Sequence, residues 1–286
     1  MLGRWVTRIV DAQARWATPF GDFNHRWLTA LFGPIRPVKD FLNGTWLGHP
    51  VHAALTDLPI GVMTVAIILD IIGQRVAADV AVLVGVLSIV ATAVSGLADY
   101  TDVDGKARSR ATVHATVMTI ALIVFAISLL IRAGNPADRA VPIVLLVIGY
   151  LILTVGAEIG GDLVYLVGTN VNRHAWRGAG TKWVALDLGG LTDIPEGGPT
   201  KVKAGINTLI LVRTGETILA LHEQCAHAGG PLSEGTLVDG CIQCPWHGSR
   251  FRLADGHVAR GPAMYDQPAY EVRQTDAGWE TRRAVR

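Results

Sequence analysis

Charge is what this chain has least of. Asp, Glu, Lys and Arg supply 17% of its 286 residues, against about 25% in an ordinary soluble protein. Mean hydropathy is +0.36. So little charge excludes a disordered chain, and it excludes a nucleic-acid binder resting on a basic surface. A net charge of +1 gives the protein as a whole no electrostatic steering. Cysteine is equally sparse. Cys225, Cys241 and Cys244 are too few for a disulfide framework, and their clustering in one short window favours metal or redox chemistry. The first 20 residues hold no cleavable signal pattern, because Arg4, Arg8 and Asp11 interrupt the apolar residues. There is no flavin or nicotinamide fingerprint.

Long hydrophobic runs, by contrast, are abundant. Residues 80–98, 111–131 and 140–157 each run without a charged residue, with His114 the one titratable group in the second of them. Each is long enough for a bilayer core, which takes about 20 apolar residues. Residues 53–73 are less clean, with Asp57 in the first turn and Asp70 near the far end. They read as a span because 58–69 is strongly apolar and both acids fall near the interfaces. The expected fold class is therefore a membrane α-helical bundle of four transmembrane helices, joined to a small all-β domain. An even number of spans puts both termini on one side. On that side Arg36, Lys39, Lys106, Arg108, Arg110, Arg173 and Arg177 lie near the spans, while Arg75, Arg132 and Arg139 lie opposite. The bias predicts a multi-pass protein of the inner (cytoplasmic) membrane with both termini and the β domain cytoplasmic. Trp5, Val6, Ile9 and Val10, then Trp16 and Phe20, and further on Trp27, Leu28, Leu31 and Phe32, suit amphipathic helices over 1–45. Such helices would lie on the membrane face or pack against the soluble domain.

After Gly160-Gly161 the pattern changes to short β-runs broken by Gly, Pro and Asp. Strands are expected at 183–188, 208–213, 217–222 and 269–273, with a hairpin turn at Asp255-Gly256. The expected organisation is surface helices 1–45, a four-helix transmembrane domain 46–162, a linker 163–181 and an all-β domain 182–286.

That last domain holds the strongest motif: Cys225-Ala226-His227, then Cys244-Pro245-Trp246-His247. Each half supplies one Cys and one His. A Cys₂His₂ zinc site is an alternative, but a structural zinc finger usually places two Cys in one half and two His in the other. The mixed arrangement suits a two-iron centre in which two His replace two Cys on one iron. CAHAGGPLSEG and CPWHGSRF resemble the two cluster-binding boxes of Rieske [2Fe–2S] proteins, and Gly261-Pro262-Ala263 resembles the segment that covers the cluster from a third side. The resemblance spans about 182–282. It implies that Cys225 and Cys244 hold the buried iron while His227 and His247 hold the outer iron, where electrons enter and leave.

Two departures from one branch of that family stand out. Rieske subunits of cytochrome bc complexes carry an extra disulfide-forming Cys in each box. Here Gly229-Gly230 and Trp246 occupy those regions, as suits a reducing compartment. High-potential members also place a Tyr hydroxyl near a cluster sulfur. Phe251 stands at that position, with Ser249 keeping one donor. Fewer hydrogen bonds predict a potential in the lower part of the Rieske range. Cys241 reads as a small buried apolar residue, and His222 and His257 as ordinary strand and turn residues.

Leu47 to Gly61, Gly96-Leu97-Ala98-Asp99 and His114 resemble an uncharacterised family of four-span bacterial membrane domains over about 40–170. His49, His52, Asp57, Asp99, His114, Glu158 and Asp162 all fall at the predicted cytoplasmic ends of spans, where ionisable groups are functional candidates. Three readings stand side by side. His49 or His52 with His114 would bind haem b or a metal. The His and Asp side chains would serve a quinone headgroup. Or they form hydrogen-bonded helix caps, as Asp57 is placed to do. Asp70 is expected to pair with Arg75.

These features predict a membrane-anchored one-electron carrier. Its cluster would exchange electrons with a redox centre or quinone at the membrane domain, supplied by a separate reductase or a quinol. The partners are the lipid bilayer and redox donor and acceptor proteins, with no nucleic acid. The alternative is a redox-sensing Rieske module for which the spans are only an anchor. A terminal oxygenase would need a further large domain for mononuclear iron.

Overall fold

The protein is described by a computed structural model over residues 2–135, 137, 139–175 and 181–284. Arg177 and the side chain of Arg4, both used above, lie outside the described residues. The chain forms two compact units. One comprises Met1–Asn43 and Pro50–Thr169, the other Gly44–His49 and Asn170–Arg286.

The first unit is helical. It contains α1 (Leu2–Ala12), α2 (Ala14–Phe32), α3 (Arg36–Asn43), α4 (Val51–Leu55), α5 (Asp57–Ile71), α6 (Arg75–Tyr100), α7 (Gly105–Gly134) and α8 (Ala140–Tyr165). Among the described residues four helical stretches are long and apolar enough to cross a membrane: Val51–Ile71, Arg75–Tyr100, Gly105–Gly134 and Ala140–Tyr165. They outrun the uncharged runs because the polar ends remain helical. The first is broken at Thr56 for a local reason. Pro59 has no N–H to donate to the Leu55 carbonyl, so the helical hydrogen bonding lapses at that turn.

The four long helices are two copies of one hairpin. Val51-His52-Ala53 recurs as Val113-His114-Ala115. Gly85, Thr92 and Gly96 on α6 have the spacing of Gly149, Gly156 and Gly160 on α8. Equivalent contacts repeat as well: Met63 lies against Gly85 as Phe125 lies against Gly149. Val82 and Ile89 on α6 match Leu146 and Leu153 on α8, and all four are in one buried core with Met63, Ala66, Ala121 and Phe125.

Asp70 does not follow the expected pairing with Arg75. α5 ends at Ile71 and Gly73 turns the chain with φ +78°, so Arg75 opens the next helix. Asp70 instead meets Arg132, its counterpart in the other hairpin, at 2.6 Å. Arg132 continues to Asp79 at 2.9 Å, and Asp79 to Arg139 at 2.6 Å.

The N-terminal helices pack on the opposite end of the bundle. Leu28 and Phe32 join Ala98, Tyr100 and Ala111, while Val10 and Ala17 join Val113 and Ile159. Ion pairs add to this apolar contact: Asp11 with Arg110, Asp22 with Arg108, and the buried Lys39 with Asp102 at 2.6 Å.

The second unit is all-β. Its strands are β1 (Val184–Asp187), β2 (Gly197–Ala204), β3 (Asn207–Thr214), β4 (Thr217–His222), β5 (Thr236–Val238), β6 (Cys241–Gln243), β7 (Arg250–Arg252), β8 (Val258–Arg260), β9 (Ala269–Thr275) and β10 (Gly278–Arg283). A closed barrel runs β1-β10-β9-β4-β3-β2, and a four-stranded sheet runs β5-β6-β7-β8. The barrel encloses Val202, Leu209, Leu211 and Ala220. A second core of Ile210, Leu221, Leu232, Ile242 and Phe251 continues to Cys225 and Cys244. The Asp255-Gly256 turn joins β7 to β8, with Gly256 at φ +73°. No Cβ fits there, since it would stand 2.0 Å from the Gln267 carbonyl oxygen.

Candidate functional site

Two loops of the β unit carry the Cys and His residues. One follows β4 and contains Cys225 and His227. The other joins β6 to β7 and contains Cys244 and His247. Each is wound the same way. Gly229 N–H donates to Cys225 O and Cys225 N–H to Gly230 O, both at 2.9 Å. Gly248 N–H donates to Cys244 O at 3.1 Å and Cys244 N–H to Ser249 O at 2.8 Å. This winding aims two backbone N–H groups at each sulfur: those of His227 and Ala228 at Cys225, and those of Trp246 and His247 at Cys244. A thiolate in such a nest is stabilised by the oriented peptide dipoles.

The loops meet like to like. Cys225 and Cys244 share a hydrogen bond, and the rings of His227 and His247 lie 5.1 Å apart between centres with planes at 86°. Both sulfurs are buried, while His247 is half-buried and Trp246 beside it is exposed. The shared hydrogen bond pushes the Cys225 thiol up, with burial acting the same way. The same bond lowers Cys244 to about 7 against the opposing effect of burial. Gly230 completes the cradle, because a Cβ there would stand 2.9 Å from Cys244 Sγ.

A third segment closes the site after β8. It holds the cis Gly261–Pro262 peptide, and Ala263 N–H donates to Ser249 Oγ at 3.0 Å. Ser249 accepts in that bond and keeps its own hydroxyl proton to donate. Phe251 is fully buried and offers no donor. Cys241 is buried away from the pair, with Sγ 3.8 Å from Asp239 O, and burial raises its thiol. The Nδ1 of His222 accepts from Gln224 N–H at 3.1 Å, and that of His257 bonds to Asp266 at 2.5 Å.

Sequence reasoning missed Gln267. This buried side chain donates to His222 O and Gln224 O at 2.6 and 2.7 Å and accepts from Ala226 N–H at 2.8 Å. It fixes the first loop from the segment that leads into β9, the strand paired with β4. His174 was also missed: its Nε2 bonds to Gln224 O at 2.7 Å. Neither belongs to a short motif, so only the folded chain brings them to the site.

In the helical unit the structure brings two of the candidate histidines together. His52 and His114 lie with ring centres 6.3 Å apart and planes at 83°. His49 is grouped instead with the β unit, in the segment where Thr45 Oγ1 donates to Ala263 O at 3.4 Å. Asp57 sits in the first turn of α5, and Asp99 is buried at the end of α6. Asp162 accepts from Thr7 at 3.1 Å, and Glu158 is exposed. Among the described residues no three His, Cys, Asp or Glu side chains are grouped as one metal ion would need.

A barrel with a small sheet, presenting one thiol and one imidazole from each of two matched loops, defines an iron–sulfur domain built for one-electron transfer. The chain belongs to the family described as the Rieske [2Fe–2S] domain, which it matches over 183–271. Residues 48–173 match a second family, described as a predicted membrane protein, DUF2231. The chain is 30% identical over 89 residues to the anthranilate 1,2-dioxygenase ferredoxin subunit of Burkholderia cepacia, covering 31% of this chain and 82% of that protein. To the ferredoxin component of the naphthalene 1,2-dioxygenase/salicylate 5-hydroxylase systems of Ralstonia sp it is 32% identical over 88 residues, covering 31% and 85%. Apoptosis-inducing factor 3 of Homo sapiens is 31% identical over 81 residues, and the match spans 13% of that protein. Among solved structures, the ferredoxin of carbazole 1,9a-dioxygenase from Nocardioides aromaticivorans is 27% identical, with TM-score 0.30, covering 37% of this chain and 97% of that one. A Rieske domain carries a [2Fe–2S] cluster, and here it is joined in one chain to a membrane domain of four apolar helices.

Proposed function

We propose that this protein is a membrane-anchored one-electron carrier. Cys225 and Cys244 would hold the inner iron of its [2Fe–2S] cluster, and His227 and His247 the outer one. The observation that carries this reading is the like-to-like meeting of the loops, thiol with thiol and imidazole with imidazole. A zinc ion would want all four donors around one point, whereas a two-iron cluster wants two at each end. The cradle fits as well. Gly230 leaves room beside Cys244 Sγ, and two N–H groups stand ready for each sulfur.

When bound, the cluster supplies reversible uptake of one electron; the rest is the work of the protein. Burial of Cys225 and Cys244 excludes water from the inner end. The half-buried His247 and exposed Trp246 give the outer end a face for a redox partner. Phe251, standing where a hydroxyl donor would be, would leave a bound cluster with one hydrogen bond fewer than in high-potential relatives and so with a lower potential. Exposed Trp5, Trp16, Phe20 and Trp27 support a place for α1 and α2 at the lipid surface. The excess of Lys and Arg near the termini supports a cytoplasmic side for the β unit. The partners are separate redox proteins, and electrons pass to or from a second redox centre in the helical unit.

Electron paramagnetic resonance of the full chain, reduced with dithionite in detergent, tests the ligand set. The expected result is a mixed-ligand cluster signal that disappears in Cys225→Ser and Cys244→Ser. In His247→Cys it should change to the signal of a cluster with more thiolate ligands. An unchanged signal in all three variants overturns the assignment.

A further inference from the structure

We infer that His52 and His114 form a bis-imidazole site for haem where the two repeated hairpins meet. The inference rests on the part of the proposed function that places a second redox centre in the helical unit, and it is independent of the cluster ligands, since every residue in it belongs to that unit.

The repeat is what makes the pair a site. His52 and His114 are equivalent positions in the two copies, and their rings meet where the two hairpins pack together, at the end of the bundle that carries the N-terminal helices. Each ring is held in the same way. His52 Nδ1 bonds to the Thr92 carbonyl at 2.9 Å, and His114 Nδ1 to the Gly156 carbonyl at 2.8 Å. Thr92 and Gly156 are themselves equivalent. Each carbonyl lies one turn before a glycine against which the same imidazole rests. A Cβ on Gly96 would stand 2.8 Å from the His52 ring, and one on Gly160 would stand 2.9 Å from the His114 ring. Both copies therefore keep a glycine so that the imidazole can lie on the neighbouring helix in one orientation.

These bonds decide the tautomer. A carbonyl only accepts, so each Nδ1 carries the proton and each Nε2 keeps its lone pair. This is the arrangement of a metal-ligating histidine, whose other nitrogen donates to a carbonyl. It disfavours a quinone carbonyl, which needs a donor. It also disfavours plain helix capping, which leaves the matched glycines and the meeting of the rings without a purpose.

The geometry also selects the kind of metal group. A bare ion takes three or four protein ligands, and among the described residues no group of three is present. Haem iron brings four nitrogens of its own and asks the protein for axial ligands alone. With a metal–imidazole bond of about 2 Å on either side, extended by half of each ring, the ring centres fall about 6 Å apart. The observed separation is 6.3 Å.

The test is the full chain purified in detergent from cells supplied with a haem precursor. Its reduced-minus-oxidised spectrum and pyridine haemochrome are read beside the cluster signal and total metal content. We expect one haem per cluster in the wild type. His52→Ala and His114→Ala should each lose at least nine-tenths of it while keeping the cluster signal, which reports a folded chain. Should these variants fail to fold, Gly96→Leu and hemin titration of haem-depleted wild type give the same reading. Wild-type protein with a full cluster signal and no haem, before or after hemin titration, overturns the inference. So does haem retained in both His variants, or a stoichiometric metal found outside haem and cluster. Loss of the cluster signal alone, with haem present, would count against the proposed function and leave this site standing.

Discussion

The Gln267 side chain accepts a hydrogen bond from Ala226 N–H at 2.8 Å, between the two loop residues expected to hold the cluster. Its amide nitrogen donates to His222 O and Gln224 O on the near side of the same loop. In Gln267→Leu the Gln224 carbonyl keeps its bond from His174, but Ala226 N–H and His222 O lose this partner. An orphaned buried group costs about 1–3 kcal/mol. Urea unfolding followed by the visible absorbance of the cluster should show a lower midpoint. An unchanged midpoint would mean that the loop is held by other contacts.

Gly230→Ala is expected to prevent cluster incorporation without unfolding the barrel. The new methyl would stand 2.9 Å from Cys244 Sγ and as close to the Trp246 ring, so the sulfur must move. Iron and acid-labile sulfide per chain should fall below half, with the far-ultraviolet circular dichroism of the wild type. Full cluster content would show that the loop yields without losing its geometry.

The Asp70–Arg132 pair joins equivalent positions of the two hairpins, and both side chains are buried. Removing one partner strands the other, at a cost of about 3–5 kcal/mol. Arg132→Met should therefore lower the thermal midpoint of the detergent-solubilised chain markedly. Asp79 keeps Arg139 in that variant. Asp70→Leu combined with Arg132→Leu should recover most of the loss. If the single and double variants are equally unstable, the pair is not what couples the hairpins there.

Asp11 gives a pH dependence of known sign. Burial alone would raise its carboxyl, but hydrogen bonds and charge from Lys106 and Arg110 outweigh that and hold it below the usual range. A depressed folded value adds stability above the unfolded pKa of about 3.9, and that stability is lost as pH falls through the folded value. The midpoint difference between wild type and Asp11→Asn should be constant above about pH 5 and shrink on acidification. A difference that grows toward low pH would reverse the sign and refute the ion-pair account.

Much of this protein was legible in one dimension. Four apolar runs gave four spans because a bilayer imposes a minimum length on any chain that crosses it. The Cys-x-His and Cys-x-x-His boxes made the Rieske [2Fe–2S] domain legible, because the residues of a tight loop lie close in sequence. Strand β4 and the Asp255-Gly256 turn followed from local β and turn chemistry.

What only the tertiary structure decided are the meetings of residues far apart in the chain. Asp70 found Arg132 rather than Arg75, because the helix ends between the near neighbours and the bundle brings the distant ones together. Gln267, 41 positions on in the chain from Ala226, reached the first loop because β9 pairs with β4. His52 was joined to His114, and His49 was grouped apart from both. A sequence fixes which side chains are available and what local structure they prefer. Which of them share a hydrogen bond depends on how helices and strands pack, and packing is set by apolar surfaces that no local motif records.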